Sequence, residues 1–160
     1  MQSEKKMNKR KLIITAIGSL IGIGIVTFIS DEYSAPLLIA SFGATAVLIY
    51  AIPESPLARP KNVFFGHLIS AIVGVLCFLF LGGEWYSMTI AVTLAIVLMA
   101  ITNTLHPPGG ATSLACVMSS ATLSFILMPV MVGVSIMMCV AYAMNMLSKK
   151  MDENETKDDR

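Results

Sequence analysis

The sequence predicts an all-α polytopic membrane protein, and three observations carry that prediction. Of the 160 residues 56% are hydrophobic and only 13% are charged, against about 25% charged in a soluble globular chain. Between Leu12 and Leu147 the ionised side chains are limited to Asp31, Glu32, Glu54, Arg59, Lys61 and Glu84. Apolar runs of roughly 20 residues, the length that crosses a hydrocarbon core, recur along that stretch.

The net charge of +1 conceals a polar layout at the two ends, with Lys5, Lys6, Lys9, Arg10 and Lys11 on one side and DENETKDD on the other. We divide the chain into a basic tail (1–11), one transmembrane domain (12–147) and a charged tail (148–160). No basic face is interleaved with aromatics, so nucleic acid is not expected as a partner. The lipid bilayer is.

The first span is Leu12–Ile29. Basic residues before an 18-residue apolar run resemble a signal peptide, but SDEYSAP follows without an A-x-A cleavage site, so the run is expected to be retained. Ala35–Ile52, Val63–Leu81 and Leu123–Leu147 are further full spans, and Ser87–Leu105 is a fifth. That fifth span runs into His106, Pro107, Pro108, Gly109 and Gly110, which cannot continue a regular helix. Ala111–Ser119 beyond it is helix-capable yet covers only about half of a bilayer at about 1.5 Å per residue. It reads as a short broken or re-entrant helix.

Lys and Arg near span ends set orientation. The N-terminal cluster, the Arg59/Lys61 loop and Lys149/Lys150 belong on the cytoplasmic side, and Asp31, Glu32 and Glu84 outside. Both termini are then cytoplasmic, provided the short sixth piece also carries the chain across. SFGATAVL (Ser41–Leu48) and PGGATSLA (Pro108–Ala115) share a Gly-Ala-Thr core, Gly43-Ala44-Thr45 and Gly110-Ala111-Thr112, at an offset of 67 residues. Three crossings per half, 12–82 and 87–147, would make a 3+3 inverted repeat, an arrangement associated with transporters whose site lies near the midplane.

In lipid, an unpaired backbone N–H or C=O costs several kcal/mol, so broken backbone persists only when buried in protein or lining a wet cavity. A helix starting near Pro108 would present unpaired N–H groups and about +0.5 of dipole charge at the break. With Thr112 and Ser113 one turn in, this is an anion-binding arrangement. Gly109 and Gly110 admit a compact ligand to the backbone, and Pro107 and Pro108 fix the approach angle. His106 can donate to an anion or carry a proton with it, since an ionisable group inside a membrane is functional by default; the plainer role is a cap on the preceding span or a tie to a carbonyl.

The candidate site is therefore His106, Pro107, Pro108, Gly109, Gly110, Ala111, Thr112 and Ser113, joined by Ser41, Gly43 and Thr45 from the other half. Small hydroxyl residues also bond their own helix backbone, a competing use for Ser41 and Thr45. Asn103, Arg59, Lys61 and His67 are accessory candidates. Arg59 and Lys61 either funnel anions to a cytoplasmic mouth or serve topology alone, and His67, just inside the third span, is read as interfacial rather than as part of the pathway. Cys77, Cys116 and Cys139 lack metal or redox spacing, and the twelve methionines are scattered filler. No metal and no cofactor are expected. Without a nucleophile–base pair, phosphate loop or carboxylate dyad, the chain is not expected to be an enzyme.

Three blocks in order, SFGATAVL, SPLARPKNVFFGHLISAIVG (Ser55–Gly74) and LHPPGGATSL (Leu105–Leu114), resemble the HPP family of integral membrane proteins, over about Leu12 to Leu147. Plant and cyanobacterial members of that family are implicated in nitrite transport, so the resemblance implies a transporter or channel for a small inorganic anion, with nitrite the first candidate. One short protomer has few helices to enclose a pore, hence a homo-oligomer is expected, and the compact tails fit a bacterial inner membrane. The alternative is a scaffold or sensor subunit in which the break is a packing turn.

Overall fold

The computed structural model describes residues 9–32 and 36–158. Lys5 and Lys6 of the basic tail, residues 33–35 of the first loop and residues 159–160 lie outside the described residues. Among the described residues the regular structure is all helical, with no strand.

The helices are α1 (Lys9–Glu32), α2 (Pro36–Ala46), α3 (Pro60–Leu81), α4 (Trp85–Ile101), α5 (Pro108–Met118), α6, a single turn at Leu123–Phe125, and α7 (Val132–Asp158). A wider turn at Val47–Ala51 prolongs α2, another at Ile126–Met131 links α6 to α7 around Pro129, and a tight turn at Pro56–Ala58 precedes α3. Pro60 opens α3 with its fixed φ and absent N–H, which helix entry leaves unused, and Gly82, at φ 77°, closes it.

Among the described residues three stretches are long and apolar enough to cross a membrane: Lys9–Ile29, Pro60–Leu81 and Leu123–Met151. Of the other two expected full spans, Trp85–Ile101 is shorter, and Ala40–Ala51 is the apolar helix found among the described residues of the second. α4 stops before the His-Pro-Pro run because Asn103 adopts a left-handed conformation (φ 53°) and Thr104 N–H turns back to Met99 O at 2.9 Å. This is the closure in which a left-handed residue satisfies terminal carbonyls. Ser120 (φ 52°) ends α5 in the same way, with Ala121 N–H on Cys116 O. At the other end of the chain, the helix of the last span runs on to Asp158 through much of the expected tail.

Side-chain placement is the inverse of a water-soluble fold. Leu20, Phe80 and Leu127 point outward, at 77%, 81% and 70% exposure, while Ser41, Thr45, His67, Ser70, His106, Thr112 and Ser113 are completely enclosed. Polar groups inside and apolar groups outside suit a molecule solvated by lipid. Trp85 and Tyr86, both exposed at the start of α4, have the amphipathic rings that favour a membrane–water boundary.

The enclosed region is built on close helix contact. Gly66, Ser70 and Gly74 recur every fourth residue along α3 and face Gly109, Ser113 and Cys116 of α5. A Cβ at Gly74 would stand 2.5 Å from Ser113 O, and one at Gly109 3.0 Å from Gly66 O. Small residues at such positions let helix backbones approach and gain dispersion contacts that lipid cannot replace. α4 packs on both α3 and α5, α2 packs on α5, and α1 packs on α2 and α7. Phe42 of α2 fits against Gly133 of α7, and Tyr50 lies over Gly18 and Gly22 of α1 while its hydroxyl donates to Met137 O at 3.1 Å.

Candidate functional site

The two short helices bring their hydroxyl residues together around one imidazole. His67, carried on α3 beside the small-residue stripe, has Thr45 Oγ1 of α2 at 2.8 Å from Nε2 and Thr112 Oγ1 of α5 at 2.8 Å from Nδ1. Thr45 and Thr112 are the residues related by the 67-residue offset. Ser41 Oγ lies 2.6 Å from Thr112 Oγ1 and 2.8 Å from Pro108 O, the latter again a pair 67 apart, and its single hydrogen serves one of the two at a time.

His106 completes the cluster from the loop before α5. Its Nε2 is 3.0 Å from Thr45 Oγ1 and its Nδ1 is 2.9 Å from Leu57 O. A carbonyl only accepts, so Nδ1 carries the hydrogen. The two imidazole centroids are 5.0 Å apart, and Phe42 closes the far side of His67 at 5.8 Å. Asn62 Nδ2 donates to both Pro56 O and Leu105 O, tying the turn that holds Leu57 to the loop that holds His106.

The leading N–H groups of α5 are satisfied locally. Gly109 N–H bonds His106 O at 2.9 Å and Gly110 N–H bonds Pro107 O at 3.0 Å, so the first two N–H groups of α5 are occupied by carbonyls in this conformation. Pro107 and Pro108 offer no N–H. Among the described residues no group of three or more His, Cys, Asp or Glu side chains is arranged to hold a metal ion.

A family model described as "HPP, transmembrane region" matches residues 4–153. The chain belongs to the HPP transmembrane family. It is therefore an integral membrane protein, in keeping with its apolar exterior. Two transmembrane proteins of Dictyostelium discoideum are similar to it: one is 41% identical over 122 residues, covering 71% of this chain and 43% of the relative, and the other 38% identical over 146 residues, covering 84% and 47%. The chain thus spans less than half the length of these curated relatives. No solved structure matches it.

Within this HPP chain the sequence-derived candidates divide sharply. Ser41, Thr45, His106, Thr112 and the Pro108 carbonyl meet in one network. Ser113 is enclosed but bonds back to Gly110 O at 2.9 Å, Gly43 has open space where a Cβ would lie, and Pro107, Arg59 and Lys61 are exposed. Ala111 and Gly110 are partly buried. Asn103 is an exposed helix closure. His67, expected only as an accessory residue at the membrane interface, is fully enclosed at the centre of the cluster, because the small-residue face of α3 draws it against α5. The Leu57 carbonyl and Asn62 were missed. A carbonyl has no sequence signature, whereas a lone Asn in the first turn of an apolar span was a visible one.

Proposed function

We propose that the chain moves a small inorganic anion across a membrane, nitrite being the candidate that family resemblance suggests, and that the Ser41–Thr45–His67–His106–Thr112 cluster is where it is handled. The observation that carries this reading is the enclosure of two imidazoles and three hydroxyls between short helices within an apolar exterior. Such groups are costly inside a membrane and mark solute pathways. The His-Pro-Pro-Gly-Gly-Ala-Thr-Ser run, His106 to Ser113, supplies one wall and Ser41, Gly43 and Thr45 the other.

The cluster's pairing also supports a 3+3 inverted repeat in which α1, α2 and α3 correspond to α4, α5 and α7. Under that correspondence the packing of α1 on α7 matches that of α4 on α3, and α1 on α2 matches α4 on α5. Thr45 and Thr112 then approach His67 from opposite halves. We place both termini on the cytoplasmic side, with Arg59 and Lys61 on the same side as Leu57. A cavity of about 430 Å³ lined by Ile49, Pro53, Ala58, Val63 and Tyr142 reaches the residue next to Leu57 and offers an approach. A homo-oligomer would complete the enclosure.

A second reading is favoured by one observation: each polar side-chain atom of the cluster already has a neighbour within hydrogen-bond distance, and the leading N–H groups of α5 are bonded to backbone carbonyls. On that reading the break is a packing turn in a scaffold or sensor subunit. Anion handling requires these contacts to part; a scaffold requires them to hold.

Uptake of nitrite into liposomes containing the purified protein separates the two, with chloride, formate and nitrate as competitors. Saturable uptake abolished in folded His106→Ala and His67→Gln supports transport. No flux of any of these anions from verified, inserted protein would establish the scaffold reading.

A further inference from the structure

We infer that the five-residue network is a proton-loading site that takes up one proton as a unit, the coupling ion of the proposed transport. The argument is a count of hydrogens. The network runs from the Pro108 carbonyl through Ser41, Thr112, His67, Thr45 and His106 to the Leu57 carbonyl, and comprises six contacts of 2.6–3.0 Å. Each hydroxyl brings one hydrogen and each neutral imidazole one, making five. Both ends are carbonyls, which bring none.

One contact is therefore without a hydrogen while the network is neutral. If the gap lies at the Pro108 end, every donor points toward Leu57: Ser41 donates to Thr112, Thr112 to His67 Nδ1, His67 Nε2–H to Thr45, Thr45 to His106 Nε2, and His106 Nδ1–H to Leu57. Longer contacts from Thr45 Oγ1 to Ser41 O at 3.1 Å and from Thr112 Oγ1 to Pro108 O at 3.4 Å compete for the same hydrogens and deepen the shortage.

A proton entering at Ser41 completes the set. It forms a bond to Ser41 Oγ, whose own hydrogen passes to Thr112; the Thr112 hydrogen passes to His67 Nδ1, the His67 Nε2 hydrogen to Thr45, and the Thr45 hydrogen to His106 Nε2. Each hydroxyl regains one hydrogen, and the added charge rests on His106, now bonded through both nitrogens. Once the hydrogens are redistributed, all six contacts are filled.

A second proton is opposed by charge, since two imidazolium rings with centroids 5.0 Å apart repel strongly inside a protein. The groups facing the network do not alter the count. No carboxylate, lysine or arginine is hydrogen-bonded or ion-paired to either imidazole among the described residues. Cys116 on α5 lies against Gly74, Tyr50 beyond α2 is turned to Met137, and α4 presents Met99. A proton carried with a monovalent anion makes the cargo neutral, which lowers the cost of crossing a low-dielectric interior.

The coupling rests on the transport reading; the loading does not, and the test keeps them apart. In full-length protein reconstituted with ¹⁵N-labelled histidine, nuclear magnetic resonance across pH should show His106 protonated at Nδ1 in the neutral state and one proton gained by the pair. Two independently gained protons, or none while the protein stays folded, overturn the proposal. Thr45→Val removes both Nε2 partners and should abolish the joint uptake, whereas Thr45→Ser retains it; loss in both, or in neither, counts against the network. In liposomes holding a pH-sensitive dye, nitrite influx should bring one proton per anion. Nitrite flux without proton movement overturns the coupling, and joint loading without any nitrite flux leaves the site standing while removing the transport reading.

Discussion

Two adjacent glycines in the His-Pro-Pro run should respond oppositely to the same added methyl group. At Gly109 a Cβ would lie 2.7 Å from Ser70 Oγ, 3.0 Å from Gly66 O and 3.0 Å from Met99 Sδ. The two side chains can rotate, but Gly66 O belongs to the backbone of α3. α5 must therefore back away along the stripe that holds it. Overpacking of this kind costs about 1–3 kcal/mol, and the better helix propensity of alanine returns about 1 kcal/mol, leaving a net loss of about 0–2 kcal/mol for Gly109→Ala. At Gly110 the nearest atom is Val92 Cγ1 at 3.9 Å, an ordinary contact. There the reduced freedom of the unfolded chain dominates, and Gly110→Ala should gain about 0.4–1 kcal/mol. Unfolding in mixed micelles, titrated with sodium dodecyl sulfate and followed by helical circular dichroism, measures both. A midpoint for Gly109→Ala raised as far as that of Gly110→Ala, or greater damage at Gly110, would refute the packing argument.

Further expectations follow from other parts of the molecule. Thr112→Val keeps shape but leaves His67 Nδ1 and Ser41 Oγ short of a partner, and should cost about 1–3 kcal/mol in the same titration; Thr112→Ser should recover most of it. Asn103→Gly should be close to neutral, whereas Asn103→Val, forced to φ 53°, should lose about 1–2 kcal/mol; anion flux per folded molecule should be unchanged in either, as a helix closure requires and an anion ligand does not. Lys11 donates to Glu54 at 2.7 Å, and this hydrogen bond, helped by one from the backbone, holds the Glu54 carboxyl below its usual range. Its contribution is present above the ordinary carboxylate pKa and disappears as pH falls through the lowered value. Since the pair is exposed, Glu54→Gln should lose less than about 1 kcal/mol at neutral pH and nothing at a pH acid enough to protonate the wild-type carboxyl, read as the difference in midpoints at the two pH values.

The fold class was legible because lipid imposes a simple rule: apolar runs, charges at their ends, and a break that must be buried. The Gly-Ala-Thr echo marked Thr45 and Thr112, and the structure places both on one imidazole. What periodicity could not supply was the partner between them. His67 looks interfacial when counted from the end of its span, and its enclosure depends on which face of α3 meets α5. The spacing of Gly66, Ser70 and Gly74 was the available clue, since small residues every fourth position mark a face of close approach and His67 sits beside it. Asn103 misled in the opposite direction. A polar residue near a motif resembles a ligand, yet Asn also tolerates the left-handed turn that ends a helix.

The stripe between α3 and α5 also decides which contacts of the network can yield. His67 and Thr112 ride on two helices whose backbones touch, with no slack for sliding, so their hydrogen bond belongs to a single rigid body. Thr45 and Ser41 ride on α2, where Gly43 faces open space. On the proposed transport reading, the network is expected to part on the α2 side rather than across the α3–α5 stripe: one jaw would stay fixed while the other moves.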